Sequence, residues 1–360
     1  MFFRWHHFFK IAIVVFWITI FIFFLMIPYL GIVLGTDART INVMTWGATL
    51  DPVIIEKFEK ESGIKVNFNY IESNEELFVK MYTTGGKDYD LVMPSDYMMQ
   101  KLIDAQLIKK IDKSKIDFWH RIQPRFLQQY FDGTNSYSIP FFWALYGLGI
   151  NKDMFTQVPP ASWSLLFSYP IPGRVAMLAQ AREAISLAAQ YLFKSIENIT
   201  PEKVKQIEHL LVEQKSRVEV YVDADIRTSY LLLSETCPVV VGATPYFLCF
   251  MKENPSIDFL IPQEGTFILI DSFALSCATQ KDDLIYQFLN YLYKPEVLFH
   301  HFENLPVIPV TKELEEFLNQ DKIPQSMRTL LLDPSIKATF FKNVIPEDEL
   351  NALWMAVKAA

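Results

Sequence analysis

The chain alternates apolar and polar side chains over Ile41-Asn42-Val43-Met44-Thr45-Trp46, which predicts a short strand ending on a large aromatic. After Asp51-Pro52 the period changes. Val53 to Glu61 reads as a helix, with Pro52 suited to its first turn and Gly63 stopping it. Ile64 to Tyr70 alternates again, Ser73-Asn74-Glu75-Glu76 opens a polar helix, and Tyr89 to Met93 forms a mostly apolar strand that breaks at Pro94. This order of elements predicts an α/β unit. In an open parallel sheet, ligands sit beyond the carboxyl ends of the strands. Trp46, Ser95 and Tyr97 all fall at such ends and share a predicted rim.

Further along, strand and helix signals keep alternating. Trp143 to Asn151 is apolar and holds Gly147 and Gly149, and Pro159-Pro160 and Pro170-Ile171-Pro172-Gly173 read as loops. Strands are expected at 174–178, 219–222, 238–241, 257–261 and 267–271. Helices are expected from Ala181 to Lys194, from Pro201 to Glu213 with Thr200 as cap, and from Asp282 to Leu292. Asp271 follows Phe267-Ile268-Leu269-Ile270, a run too apolar for an idle surface strand, so its charge is expected to line a cleft.

A chain of 360 residues with 51% hydrophobic content can fill about two cores. Residues 1–36 contain Arg4 and Lys10 and no acid, so the remainder is two charges more negative than the chain's net −8. An acidic body argues against nucleic acid as a partner and is compatible with a cationic small ligand or with plain solubility. The basic flank precedes an apolar run from Ile11 to Ile27 that stays mostly apolar to Gly35. Residues 1–36 therefore read as a signal peptide or a transmembrane anchor. Residues 11–35 engage the inner membrane, and the body lies on the outer side.

Cys237, Cys249 and Cys277 have no zinc spacing. Cys237 and Cys249 flank Val239-Val240-Val241, and they either pair in an oxidising compartment or stay as free thiols in a core. His300-His301 lies in an aromatic helix-like stretch and reads as structural or surface. The chain has no Gly-x-Ser-x-Gly elbow, P-loop or dinucleotide-type glycine turn.

Several fragments keep their order and spacing from about residue 41 to about 310 as in one family. They are Trp46, Phe58-Glu59-Lys60-Glu61-Ser62-Gly63-Ile64-Lys65-Val66, Glu72-Ser73-Asn74-Glu75 and Tyr89-Asp90-Leu91-Val92-Met93-Pro94-Ser95-Asp96-Tyr97. They continue with Ile111-Asp112-Lys113-Ser114-Lys115, Tyr137-Ser138-Ile139-Pro140, Trp143, Ala181-Arg182-Glu183, Gln263-Glu264-Gly265 and Asp271-Ser272. The collinear set resembles the spermidine/putrescine-binding proteins of bacterial polyamine ABC transporters.

The resemblance implies an α/β, two-lobed periplasmic-binding-protein fold (type II). Each lobe is a mixed sheet flanked by helices, and the ligand lies in the interlobe cleft. Lobe 1 is expected over 37–145 plus 269–314, and lobe 2 over 146–268 plus 315–360. The two segments that cross between lobes fall near Leu145 and Leu269. The implied function is capture of a polyamine of the putrescine/spermidine type and its delivery to ABC permease subunits from the periplasm. No reaction, cofactor or metal is implied. Glu183 and Asp271 match the family's ligand-binding carboxylates, and Trp46, Ser95 and Tyr97 match its wall and hydrogen-bonding positions. Carboxylates hold the ammonium groups of such a ligand, while aromatic faces pack its methylenes and add about 0.5–2 kcal/mol of cation–π attraction per contact.

The chain departs from the family at the pocket. Gln180 stands where an acid is usual, Leu269 where an aromatic sandwiches the methylenes, Ala243 where a second tryptophan aligns, and Thr49 where a tyrosine follows Trp46. Pro306 stands near another pocket tyrosine. Thr49, Gln180 and Leu269 are thus possible ligand contacts in a pocket expected to be less aromatic and one charge poorer. The competing reading is a membrane-tethered sensor or interaction ectodomain with the same fold and a different or lost ligand. An extracytoplasmic enzyme is disfavoured, since Glu183 and Asp271 have no recognisable nucleophile or metal set beside them.

Overall fold

The computed structural model describes residues 15–22, 39–319 and 323–360. Residues 15–22 are helical and mostly exposed, while the rest of the N-terminal segment read as a signal or anchor lies outside the described residues. Among the described residues, no helix is long and apolar enough to cross a membrane.

The strands are β1 (Thr40–Trp46), β2 (Lys65–Ile71), β3 (Leu91–Val92), β4 (Ile139–Asn151), β5 (Val175–Leu178), β6 (Val218–Val222), β7 (Val239–Ala243), β8 (Ile257–Leu260), β9 (Thr266–Leu275) and β10 (Ala338–Phe340). They form one mixed sheet in the order β2-β1-β3-β9-β4-β7-β5-β6, with β10 beside β9 and β8 beside β4. The pairs β1–β2, β1–β3, β5–β6 and β5–β7 are parallel, whereas β9 and β4 run antiparallel to their neighbours β3 and β7.

Two strands join the halves. The first part of β4 pairs with β9 from Ile139↔Phe273 to Leu145↔Ile268, and its second part pairs with β7 and β8. The far end of β9 pairs with β3 through Leu91↔Leu275 and Val92↔Ala274. One long ribbon thus belongs to both ends of the sheet.

Local sequence explains the helices that flank it. Asp51 caps Pro52–Ser62 by accepting from the Val53 N–H, and Gly63 closes that helix in the left-handed region at φ 68°. Its buried residues are Ile54, Ile55 and Phe58, and the Phe58 ring lies 5.1 Å from those of Phe288 and Tyr291 on the helix Asp282–Leu292. Ser73 caps Asn74–Thr84 through the Glu76 N–H.

The paired histidines sit on the helix Pro295–Asn304 and tie it to this cap. His301 is fully buried; its Nδ1 lies 2.9 Å from the Val297 carbonyl and its Nε2 accepts from the Asp51 N–H at 3.2 Å. His300 Nε2 lies 2.9 Å from the Asp51 carboxylate. Both are structural.

Two expectations change, for β3 and β9, and the open question on the cysteines resolves to free thiols. β3 is only two residues long, Leu91–Val92, although the backbone bonding continues past it: Asp90 and Met93 donate to the Asn42 and Met44 carbonyls at 2.9 Å, and Asp90 accepts from the Ser276 N–H at 3.0 Å. β9 runs past Asp271 to Leu275, since β3 and the start of β4 continue its pairing. Cys237 and Cys249 are unpaired thiols: Cys237 is buried just before β7 and Cys249 lies beyond β7 on the helix Thr244–Met251.

Gly149 in β4 and Gly242 in β7 are a matched requirement, because β-carbons there would lie 2.1 Å and 2.3 Å from the Phe247 ring. Phe247 is fully buried and cannot withdraw easily. Gly149→Ala should therefore lower unfolding stability by roughly 1–3 kcal/mol. Adding Phe247→Leu should recover part of that loss in denaturant titrations. A fully stable Gly149→Ala protein would contradict the close approach.

Candidate functional site

Most of the expected site residues lie at the carboxyl ends of strands, with Trp46 ending β1, Ser95 and Tyr97 following β3, and Glu183 following β5. Trp46 ends β1 partly buried, and its indole N–H is buried without a partner among the described residues. Thr49 is buried, with its hydroxyl turned to the Gly47 carbonyl at 3.5 Å. Pro94 breaks the chain after β3, and Ser95, also buried, begins the helix Asp96–Asp104. The Ser95 N–H donates to Asn74 Oδ1 at 3.0 Å, and Ser95 bridges to Asp271 across an isolated antiparallel pair.

Asp271 sits in the middle of β9, opposite Phe142 of β4, and is only 4% exposed. Its Oδ1 has no partner among the described residues, and neither has the Ser272 hydroxyl. Burial pushes the Asp271 carboxyl up to about 8, opposed by the Ser95 hydroxyl and reinforced by Asp96.

Asp96 is equally buried. Its Oδ1 accepts from the Tyr97 N–H at 2.6 Å and from the Tyr130 hydroxyl at 3.4 Å, and its Oδ2 accepts from the Ile270 N–H at 3.5 Å. Burial lifts it to about 7 against those donors and the Arg182 charge.

Glu183 opens the second half of the site, in the first turn of the helix Ala181–Phe193 that follows β5. The Tyr146 hydroxyl of β4 donates to it at 3.3 Å. Burial raises Glu183 to about 7, with Asp223 adding to the rise and Tyr146 and Arg182 opposing it. Gln180, at the exposed N-cap of that helix, donates to Asp223 Oδ1 at 3.1 Å, and Leu269 packs partly buried on the cluster around Tyr146.

One cation already reaches across. Arg182 is 14% exposed, and its guanidinium stands 3.6 Å from the Tyr97 ring centroid and 3.7 Å from Glu75 Oε1. Its Nε donates to Asn343 at 2.7 Å, and the Tyr97 hydroxyl donates to Glu75 at 3.0 Å.

The structure thus gathers Ser95, Tyr97, Asp271 and Glu183 with Asp96, Tyr130, Tyr146 and Arg182, and leaves Gln180 on the outer edge. The charge expected to be missing at position 180 has counterparts in Asp96 and Asp223. Asp223 directly follows β6, a rim signal that sequence reasoning could have used. Tyr130 lies in an irregular segment with no such signal.

A mixed sheet crossed by two shared strands, with a polar site at strand ends between its halves, defines the two-lobed solute-binding class of α/β protein. The chain belongs to the bacterial extracellular solute-binding protein family, whose model matches residues 53–326. A spermidine/putrescine-binding periplasmic protein of Escherichia coli (strain K12) is 29% identical over 261 residues, which cover 72% of this chain and 74% of that one. A putrescine-binding periplasmic protein of the same strain is 27% identical over 288 residues, covering 74% and 76%. The crystal structure of a spermidine/putrescine ABC transporter substrate-binding protein from Streptococcus pneumoniae superposes with a TM-score of 0.75 at 22% identity, covering 89% of this chain and 99% of that one.

The buried acids make stability depend on pH with a definite sign. Unfolded carboxyls titrate at about 4, whereas Asp96, Glu183 and Asp271 keep their protons to about 7, 7 and 8 in the fold. Between those limits the folded state binds more protons than the unfolded one, so stability falls as pH rises through this range. His301, held neutral by burial and lowered to about 4, has the opposite effect, but only below the unfolded histidine value of about 6.5. The thermal midpoint should therefore fall between about pH 6.5 and 8, below the titration of unfolded thiols. Asp271→Asn should flatten that slope. A midpoint that rises across the window would refute the assignment.

Proposed function

We propose that the protein is the extracytoplasmic solute-binding component of an ABC importer. It captures a polyamine of the putrescine/spermidine type and delivers it to the permease. The observation that carries this reading is the unpartnered Asp271 carboxylate oxygen, buried in the middle of β9 opposite Phe142 and close enough to the buried Asp96 to feel its charge. Among the described residues, no group of three or more His, Cys, Asp or Glu is placed to hold a metal ion. Acids spread in this way suit positive charges joined by a methylene chain. The relatives are named for binding spermidine and putrescine, which supports the same chemistry.

In this reading Asp271 and Glu183 hold amines, Tyr97 and Trp46 form the wall, and Ser95 orients Asp271. Thr49, Gln180 and Leu269 lie at the margin. Lobe 1 comprises 37–145 and 269–314, and lobe 2 comprises 146–268 and 315–360. They close about the paired segments near Leu145 and Leu269, with no bond made or broken. The apolar N-terminal segment directs the chain to the outer side of the inner membrane.

Calorimetry of the purified protein against putrescine, spermidine, spermine and basic amino acids tests the reading. Cation binding favours ionised carboxylates, so affinity should rise from about pH 6.5 to 8 with protons released to the buffer. Asp271→Asn should weaken the bound polyamine by about 2–5 kcal/mol, as when one partner of a buried ion pair is removed. Unchanged affinity in that variant would remove Asp271 from the site.

A further inference from the structure

The polyamine reading leaves one buried acid without a role. Asp96 occupies the first position of the helix Asp96–Asp104, where an exposed acid needs no explanation beyond the helix dipole. This one is 4% exposed. An ionised carboxylate at that depth is costly unless it is well paired or faces a cation. Its hydrogen-bond partners are two backbone N–H groups and the Tyr130 hydroxyl, and none of them carries a charge. Two of the three contacts are long, at 3.4 and 3.5 Å. Arg182 acts on it from a distance but is engaged by the Tyr97 ring, Glu75 and Asn343.

The position matters as much as the charge. Asp96 Oδ2 is bonded to Ile270, the residue before Asp271, and Asp271 carries the oxygen without a partner. Asp96 also acts electrostatically on Glu183 across the site, so it faces the acids of both halves. The groups around it are Tyr97 and Tyr130 from its own side, Asp271 from β9, and Arg182 and Glu183 from the helix Ala181–Phe193.

We propose that Asp96 supplies the third buried negative charge of the ligand site, in place of the acid that Gln180 replaces, and so sets the site for a dication. Glu75 and Asp223 are about half exposed, at 54% and 49%, and are screened by solvent, so Asp96, Glu183 and Asp271 set against the Arg182 guanidinium leave two negative charges for the ligand to balance. A short diamine meets that requirement, whereas each additional amine of a longer polyamine exceeds it.

The test is calorimetry of the full protein with putrescine and spermidine, with thermal unfolding alongside. Asp96→Asn keeps the oxygen that accepts from Tyr97 and Tyr130, and gives up the charge together with the long 3.5 Å contact from the Ile270 N–H. Putrescine affinity should fall at least roughly tenfold, with the unfolding midpoint unchanged or raised. Adding Gln180→Asp to that variant should recover most of the loss, which a purely structural role for Asp96 would not allow. Gln180→Asp alone, with Asp96 intact, should move preference from putrescine towards spermidine, and this arm stands even where Asp96→Asn does not fold. Unaltered putrescine affinity in Asp96→Asn, a loss that Gln180→Asp does not recover, or an unmoved preference in Gln180→Asp overturns the proposal. Wild-type protein that binds no polyamine overturns the functional reading itself, and this proposal with it.

Discussion

The antiparallel pairing of β4 with β9 is the constraint on which the rest of the molecule depends. It runs without a break in hand from Ile139↔Phe273 to Leu145↔Ile268, apart from one irregularity between Pro140 and Phe142. Because the backbone of β9 is bonded to β4 on one edge and to β3 and the Ser95 bridge on the other, its peptide groups need nothing further. The Asp271 carboxylate and the neighbouring Ser272 hydroxyl are then the side-chain groups on that strand left with unmet bonding capacity among the described residues. The same ribbon feeds β7 and β8 beyond Leu145, where Gly149 and Gly242 make room for Phe247. Packing on one side of the crossing and charge on the other are consequences of a single pair of strands.

Burying Asp96 and Asp271, with the partly buried Glu183 across from them, works against the fold. Asp96 raises the proton affinity of both Glu183 and Asp271, and desolvation is the largest contribution for all three. A protein selected only for stability would exchange such acids for apolar residues, because a buried charge network seldom gains over hydrophobic packing. Their retention in a rim otherwise built from Trp46, Tyr97, Tyr130 and Tyr146 is what strain held for a ligand looks like. Arg182 relieves part of the strain from within. It also joins the helix after β5 to the pair Glu75 and Tyr97, so the two halves of the site are held together by a cation that the chain itself provides.

Alternation and capping made most of the elements readable. The helix Asp282–Leu292 matches its expected bounds, Thr200 caps the helix it was expected to cap, and Ser73 opens Asn74–Thr84. What local pattern could not carry was pairing across distance. β9 reads as ending at Asp271 because Asp271-Ser272 interrupts the apolar run, yet β3 and the start of β4 extend it to Leu275. The site divides in the same way. Glu183 and Asp271 were reached through a resemblance, with the apolar run before Asp271 as the one intrinsic signal. Asp96 was hidden by its own ordinariness, since an acid at a helix start has a sufficient local cause. Only its burial, set by Tyr130 and β9 from far along the chain, distinguishes it.

The substitutions in the pocket are better understood as a relocation than as a loss. Gln180 donates to Asp223, an arrangement that an acid at 180 would turn into repulsion next to Glu183, which already feels the Asp223 charge. With an amide at 180, negative potential moves inward to Asp96 and outward to Asp223, and the helix start between them stays neutral. Aromatic surface moves similarly. Leu269 offers no ring, but Tyr146, fully enclosed beside Glu183, and Tyr246, near Asp271, bring rings to the acids from β4 and from the helix after β7. Rings that approach from the strand ends, rather than from β9 itself, leave Leu269 as an aliphatic surface on the same face of β9 as Asp271, two residues along the strand. A ligand there would meet its charged partners at two ends and an aliphatic surface between them, which is the order of groups along a diamine.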